Sequence, residues 1–187
     1  MFIPKAVSEK ADDIYKALVS ADQKYHAFWF EYVFLSWQWW FCVILAVIPW
    51  VFWWKFRIKE STNRLLLGAF SIISISMFLD SIGAELGLWD YRYEPIPFLP
   101  SFLPWDLSLL PVIFLVLVQI KPNISPVLKA IFYSVISAFI GEPFFEWLGF
   151  YKLIRWNHFY SFPIYILIFL IVNSLVTSEN FEQLKKK

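Results

Sequence analysis

The chain has 187 residues, 59% of them hydrophobic and 22% aromatic, where an ordinary soluble domain is roughly half apolar. Sixteen basic and fifteen acidic side chains leave a net charge of +1, which excludes the basic footprint of a nucleic-acid-binding protein. A single cysteine, Cys42, excludes an internal disulfide framework and a cysteine metal cluster.

Such a composition predicts an all-α membrane protein with the lipid bilayer as its first partner. In residues 1–30, Val7, Ala11, Ile14, Leu18, Ala21, Tyr25 and Phe28 recur at spacings of three and four with charges between them. That is an amphipathic helix, expected to lie at the membrane interface or on the bundle, either as a solvated leader or as a cap over a site. Glu9, Asp12, Asp13 and Asp22 interrupt any apolar core, so this segment does not read as a cleavable signal peptide.

Residues 31–178 follow as a transmembrane domain. A helix needs about 20 apolar residues to cross the hydrocarbon, because its backbone must satisfy itself where there is no water. Five segments qualify, near 32–56, 64–88, 105–121, 126–148 and 159–177. Pro95, Pro97, Pro100 and Pro104 fill the second connection, Pro122 and Pro126 bracket the third, and Pro49, Pro111, Pro143 and Pro163 fall inside segments as expected kinks. Trp37, Trp39, Trp40, Trp50, Trp53 and Trp54 lie towards the two ends of the first segment, as interfacial anchors do.

Basic residues set the orientation. Lys55, Arg57, Lys59 and Arg64 flank the first connection, Lys121 and Lys129 the third, and Lys185, Lys186 and Lys187 end the tail 179–187. Arg92, Lys152 and Arg155 occupy the opposite connections, and Lys5, Lys10, Lys16 and Lys24 are interleaved with acids. The positive-inside rule then places the N-terminus outside and the tail in the cytoplasm.

The acids collect towards the outer side. Asp80 and Glu142 lie equally far into the second and fourth segments, roughly 24 Å along each helix. Asp106 opens the third segment at the same level, and Glu85, Asp90, Glu94 and Glu146 lie at or beyond it. Asp90 and Glu94 read as solvated loop charges. Ser76, Asp80, Gly83, Ala84 and Gly87 share one helical face, and Ser134, Ala138, Gly141, Glu142 and Gly149 share another; small residues there predict close packing of neighbouring helices. Each acid precedes a glycine by the same interval, Asp80 to Gly87 and Glu142 to Gly149, which suggests a tandem two-helix repeat.

An ionisable group in hydrocarbon costs about 2.5–3.5 kcal/mol on insertion scales, so these acids need partners, water or protons. The expected site is an outward-facing acidic and aromatic pocket formed by Asp80, Asp106, Glu142 and Glu146 with Trp89, Trp105, Trp147 and Trp156. Arg92 and Arg155 stand near enough to pair with it, and His158 could shuttle a proton. The plainer alternative is that the acids fix helix packing and the aromatics form an interfacial belt. His26 and His158 have no metal-ligand spacing, and phosphate-loop, nucleophile-elbow and dinucleotide signatures are missing, so neither a metal nor a cofactor is expected.

Several stretches carry a resemblance: Leu86-Gly87-Leu88-Trp89-Asp90-Tyr91, Pro104-Trp105-Asp106, Leu110-Pro111-Val112 with Gln119, Ala138-Phe139-Ile140-Gly141-Glu142-Pro143, Leu148-Gly149-Phe150-Tyr151, and Trp156-Asn157-His158-Phe159-Tyr160-Ser161 through Tyr165. Together they resemble uncharacterised small multi-pass membrane proteins of spore-forming Gram-positive bacteria. That resemblance implies a bacterial plasma membrane and no established activity. Gly87-Leu88-Trp89 followed by Pro104-Trp105-Asp106-Leu107 is also similar to integral-membrane carotenoid and terpene cyclases, whose motif carries a second acid where Leu107 stands here; the other half has Phe162-Pro163-Ile164-Tyr165 without an acid. Three functions stay open: a pocket binding a cation, small ligand or lipid headgroup with proton coupling, an acid-catalysed enzyme on an isoprenoid or other lipid, and a structural or assembly subunit.

Overall fold

The structure is a computed structural model that describes residues 4–99, 101–120 and 123–178. Lys121, Pro100, Pro122 and the basic tail 179–187 lie outside the described residues. Among the described residues, four helices are long and apolar enough to cross a membrane: Trp37–Phe56, Lys59–Glu85, Pro126–Trp147 and His158–Thr177. A fifth apolar stretch, Pro104–Gln119, is shorter.

Helix α1 (Lys5–Phe28) is amphipathic, yet none of its residues is buried. Its regular winding widens into a π-helical stretch, Trp29–Val33, before the chain turns. The turn is made by Leu35 with φ +60°, a conformation uncommon for a bulky residue, and by Ser36, whose hydroxyl accepts from the Trp39 N–H at 3.2 Å. Helix α2 (Trp37–Phe56) therefore starts five residues later than the hydrophobicity predicts, because residues 32–33 end the π-helical stretch and residues 34–36 make the turn.

Helix α3 (Thr62–Glu85) is followed by a short strand, β1 (Trp89–Tyr91). The third apolar segment begins as a π-helical turn, Pro104–Leu109, and becomes regular in α4 (Leu110–Gln119). The fourth runs through α5 (Pro126–Ile136), a second π-helical turn at Ser137–Gly141, and α6 (Glu142–Trp147). Strand β2 (Tyr151–Leu153) and helix α7 (His158–Thr177) complete the fold. Two of the in-segment prolines, Pro111 and Pro143, stand directly after π-helical turns, where a residue that cannot donate to the helix ladder costs least.

Helices α3, α4, α5–α6 and α7 form a four-helix bundle, α7 closing it by packing on both α3 and α5. Helix α4 is its most enclosed member, with Leu110, Phe114 and Leu115 buried, and α2 lies against the outside of the third segment. Phe114 and Phe169 meet edge to face with ring centroids 5.0 Å apart at the bundle centre. Dispersion between such close-packed groups is what holds helices together where lipid is as apolar as the core. On α2 only Cys42 and Trp53 are buried, while Val47, Ile48, Val51 and Phe52 face outwards. An apolar surface of that extent is a liability in water and ordinary in a bilayer.

Two connections cross the same end of the bundle and pair there as an antiparallel ribbon, Trp89 opposite Leu153, Asp90 opposite Lys152 and Tyr91 opposite Tyr151. Both strands are launched by the same device. After α3, Leu88 N–H bonds Gly83 C=O and Gly87 N–H bonds Ala84 C=O; after α6, Phe150 N–H bonds Phe145 C=O and Gly149 N–H bonds Glu146 C=O. These are Schellman caps, and each requires a left-handed residue, supplied by Gly87 at φ +63° and Gly149 at φ +79°. The ribbon carries no sequence signal, being six residues with one aromatic on either side of a charge in β1.

Candidate functional site

The ribbon roofs a cavity of about 90 Å³ set between α3, the Pro104–Leu109 turn, α6 and α7. Asp80, Asp106 and Glu142 all line it, with Trp89, Trp105 and Trp156 among its aromatic walls. All three acids are at most 9% exposed. No lysine or arginine lines the cavity among the described residues.

Asp80 projects from the last turns of α3 into a ring of donors. Its Oδ1 accepts from Trp89 Nε1 at 2.8 Å and from the Tyr91 hydroxyl at 2.5 Å, and its Oδ2 accepts from the Phe102 backbone N–H at 2.9 Å. The Asp106 carboxyl faces the same carboxyl closely enough to interact with it, with the Ser76 hydroxyl beside it. Two carboxyls that face each other in a buried site are stable together when a proton lies between them, since an ionised carboxylate has nothing to donate. Asp106 Oδ2 is buried and has no partner among the described residues.

Glu142 anchors a second network at the start of α6. Its Oε1 accepts from the Tyr165 hydroxyl at 2.9 Å, and its Oε2 accepts from Ser161 Oγ at 3.0 Å and faces His158 Nδ1 at 2.8 Å. His158 Nε2 faces Glu146 Oε2 at 3.0 Å, on the exposed side. Tyr165 also accepts from Trp105 Nε1 at 3.0 Å, so the chain runs from Glu146 at the surface to the centre of the bundle. An imidazole between two carboxyls has two equivalent fillings: a ring with two N–H groups, or a ring with one and a protonated glutamate. They hold the same number of protons and differ only in which atom carries one, the condition for a relay.

The small-residue faces are filled by tryptophan rather than by helix backbones. A Cβ on Gly83 would stand 2.0 Å from the Trp89 ring, and one on Gly141 would stand 2.1 Å from the Trp105 ring. Gly87 and Gly149 serve the caps instead, and nothing lies within 4 Å of a Cβ on Gly149. Each tryptophan thus reaches its acid's network because a glycine on a helix leaves room for the ring.

Not every expected residue converges here. Trp147 is 79% exposed and points away from the cavity. Arg92 pairs with Asp90 at 2.7 Å on the surface, and Arg155 donates to the C-terminal carbonyls of α3, Leu86 at 2.6 Å and Gly87 at 3.4 Å. Neither arginine lines the cavity. Glu146 and His158 connect to it through Glu142 without lining it.

Glu94 departs from the expectation of a solvated loop charge. It is 7% exposed, because α1 and α2 grip its connection: Tyr25 donates to Glu94 Oε2 at 2.8 Å, Trp29 Nε1 to the Glu94 carbonyl at 2.7 Å, Trp39 Nε1 to the Pro95 carbonyl at 3.1 Å, and Cys42 Sγ to the Tyr93 carbonyl at 3.2 Å. Burial raises the Glu94 carboxyl to about 7, against the opposing hydrogen bond from Tyr25. Burial also pushes the Tyr25 phenol up, helped by the Glu94 charge.

Tyr91, Tyr151, Tyr165, Phe102 and Ser161 complete the site and were not singled out by sequence. Tyr165 was within reach of such reasoning, since it faces one helical turn beyond Ser161 and two residues after Pro163. The Phe102 contribution is a backbone N–H, which leaves no trace in residue identity. Among the described residues, no group of His, Cys, Asp and Glu is arranged to hold a metal ion. Compared with protein-family models, curated proteins and solved structures, the chain matches none of them.

Proposed function

We propose that the chain is a five-span protein of a bacterial plasma membrane, with its N-terminus outside and its C-terminus inside, whose outward pocket binds a small cation in exchange with protons. The fifth crossing is the segment Pro104–Gln119. Its support is that Asp106 at one end meets Asp80 near the end of α3, while Gln119 at the other accepts from the Ile58 N–H just ahead of α3. The matching caps and the paired strands support reading α3–α4 and α5–α7 as a tandem repeat.

One observation carries the binding reading: three carboxyls converge on a cavity whose wall has no lysine or arginine among the described residues. Buried negative charge without a fixed counterion is compensated by bound protons or a bound cation. Trp89, Trp105 and Trp156 present aromatic faces that favour a cation further. The volume limits the occupant, since about 90 Å³ is well under the roughly 300–1,000 Å³ of a drug-sized site. An ammonium or methylated ammonium group, free or borne on a lipid headgroup, fits that description.

The test is titration of the full-length protein in nanodiscs with tetramethylammonium, read by tryptophan fluorescence between pH 6 and 9. Saturable quenching that weakens with acid and disappears in Glu142→Gln is expected. A folded wild-type protein that shows no saturable response at any pH removes the cation reading and leaves a structural role for the acids.

A second reading is acid catalysis on an isoprenoid, favoured by Asp106 Oδ2, which has no partner among the described residues, in a wall that also holds Leu79, Leu110, Ile164 and Ile168. Conversion of a linear polyisoprenoid by the wild type and not by Asp106→Asn is its signature. Conversion that survives in Asp106→Asn excludes that residue as the proton donor.

A further inference from the structure

A second, larger cavity of about 530 Å³ lies at the opposite end of the bundle, where α3 and α5 begin and α4 and α7 end. Its lining includes Arg64 from the first turn of α3, Lys129 from the first turn of α5, and Asn173 from the last turns of α7. No carboxylate lines it among the described residues. Among the described residues, one cavity is thus lined by acids without lysine or arginine and the other by bases without acids.

Lys129 is 8% exposed, and its ammonium donates to the Val118 carbonyl at 3.3 Å, the terminal part of α4. An ammonium has three donors, and among the described residues the other two have no protein acceptor. Asn173 is also 8% exposed, and its side-chain amide makes no hydrogen bond among the described residues. The polar ends of both side chains thus border the open space of the cavity, where they are available to an occupant. Helix dipoles do not decide the matter, since two helices start here and two end, and their fields oppose one another. The side chains decide it.

We infer that this cavity is a binding site for a phosphate group, held between Lys129, Arg64 and the Asn173 amide. The chemistry follows from the donors: two cations and an amide N–H suit a tetrahedral oxyanion, and the space is that of an ordinary ligand site rather than of a single water. Its place follows from the helices. The cavity opens where four helices meet their connections, beside Ile58 and Ser61, which in the five-span reading is the level of a bilayer headgroup. Basic pockets between membrane helices on the side rich in lysine and arginine recognise anionic headgroups. The phosphate is thus a lipid phosphodiester of that leaflet or a free phosphate entering from the same aqueous face.

The experiment uses the full-length protein purified in a neutral detergent and reads binding by native mass spectrometry and by thermal unfolding. It has three arms: phosphatidylglycerol, phosphatidylcholine and inorganic phosphate. Preferential retention of phosphatidylglycerol with a raised unfolding temperature identifies the lipid source, and a response to inorganic phosphate alone identifies the free anion. Arg64→Gln should weaken binding about tenfold, as loss of one charge-assisted contact does, with the unfolding temperature of the unliganded variant as the control for its fold. Lys129→Gln should abolish it, and Lys152→Gln, at the other end of the bundle, should change nothing. No response to either anion, or binding equally strong in Arg64→Gln and Lys129→Gln, overturns the inference.

Discussion

Asp106 and Asp80 face each other carboxyl to carboxyl although they come from different helices, and their oxygens are met unequally. Asp80 accepts from Trp89, Tyr91 and Phe102, whereas one oxygen of Asp106 has no partner among the described residues. Their amides should therefore behave differently. In Asp106→Asn the side-chain NH2 can replace the shared proton, so the fold is retained. In Asp80→Asn an NH2 is turned towards donors, which costs about 1–3 kcal/mol for the group left unmet. Thermal unfolding of both variants in the same detergent checks this; equal losses would show that the two carboxyls are interchangeable.

Gly83 and Gly141 are the seats of Trp89 and Trp105. Alanine at either position puts a methyl inside the ring volume, so the tryptophan must leave and take its Nε1–H bond with it. Overpacking of this kind costs about 1–3 kcal/mol. Gly83→Ala should also shift the tryptophan emission of the site, whereas Gly149→Ala meets no atom and should show only the cost of its left-handed backbone, about 1–2 kcal/mol. Emission spectra with unfolding curves separate the two effects.

Attachment of α1 should depend on pH through Glu94. The folded carboxyl titrates at about 7, above the ordinary glutamate value of 4.5, so the docked state binds the extra proton. Docking is then fully supported below about pH 4.5 and loses support as pH rises through about 7, by at most about 3 kcal/mol. Hydrogen exchange of residues 25–33 should be slower at pH 5.5 than at pH 8.5 after correction for intrinsic rates. Glu94→Gln should flatten the dependence; a wild-type difference of the opposite sign would refute the assignment.

Orientation is open to labelling. With Cys42→Ser as background, Lys59→Cys should be reached by an impermeant maleimide only in permeabilised cells, and Lys152→Cys in intact ones. Reversed accessibility would turn the pocket towards the cytoplasm.

Much of this arrangement is legible in residue order, and the reasons it stops are specific. Asp80, Asp106 and Glu142 could be set at one depth because helical rise is fixed, and Trp89, Trp105 and Trp156 came with them. The choice of partner is not periodic. Trp147 and Trp156 read alike in sequence, but one is thrown outwards on the last turn of α6 while the other follows β2 to the cavity. Arg92 and Arg155 were drawn to local oxygens, Asp90 and helix-end carbonyls, at less desolvation than the cavity would demand. Glu94 carries no local sign of burial, because its cover comes from α1, far away in the chain.

The paired caps after Gly87 and Gly149 have an evolutionary corollary. Had the bundle been assembled from two copies of a single helical hairpin, both stations beneath the ribbon would be obliged to hold the same acid with the same neighbours. Joined in one polypeptide, the stations are free to drift apart. Here one station is a pair of aspartates set among indole and phenol donors, and the other a glutamate with a histidine leading to the surface, so a substitution at one leaves the other's partners in place.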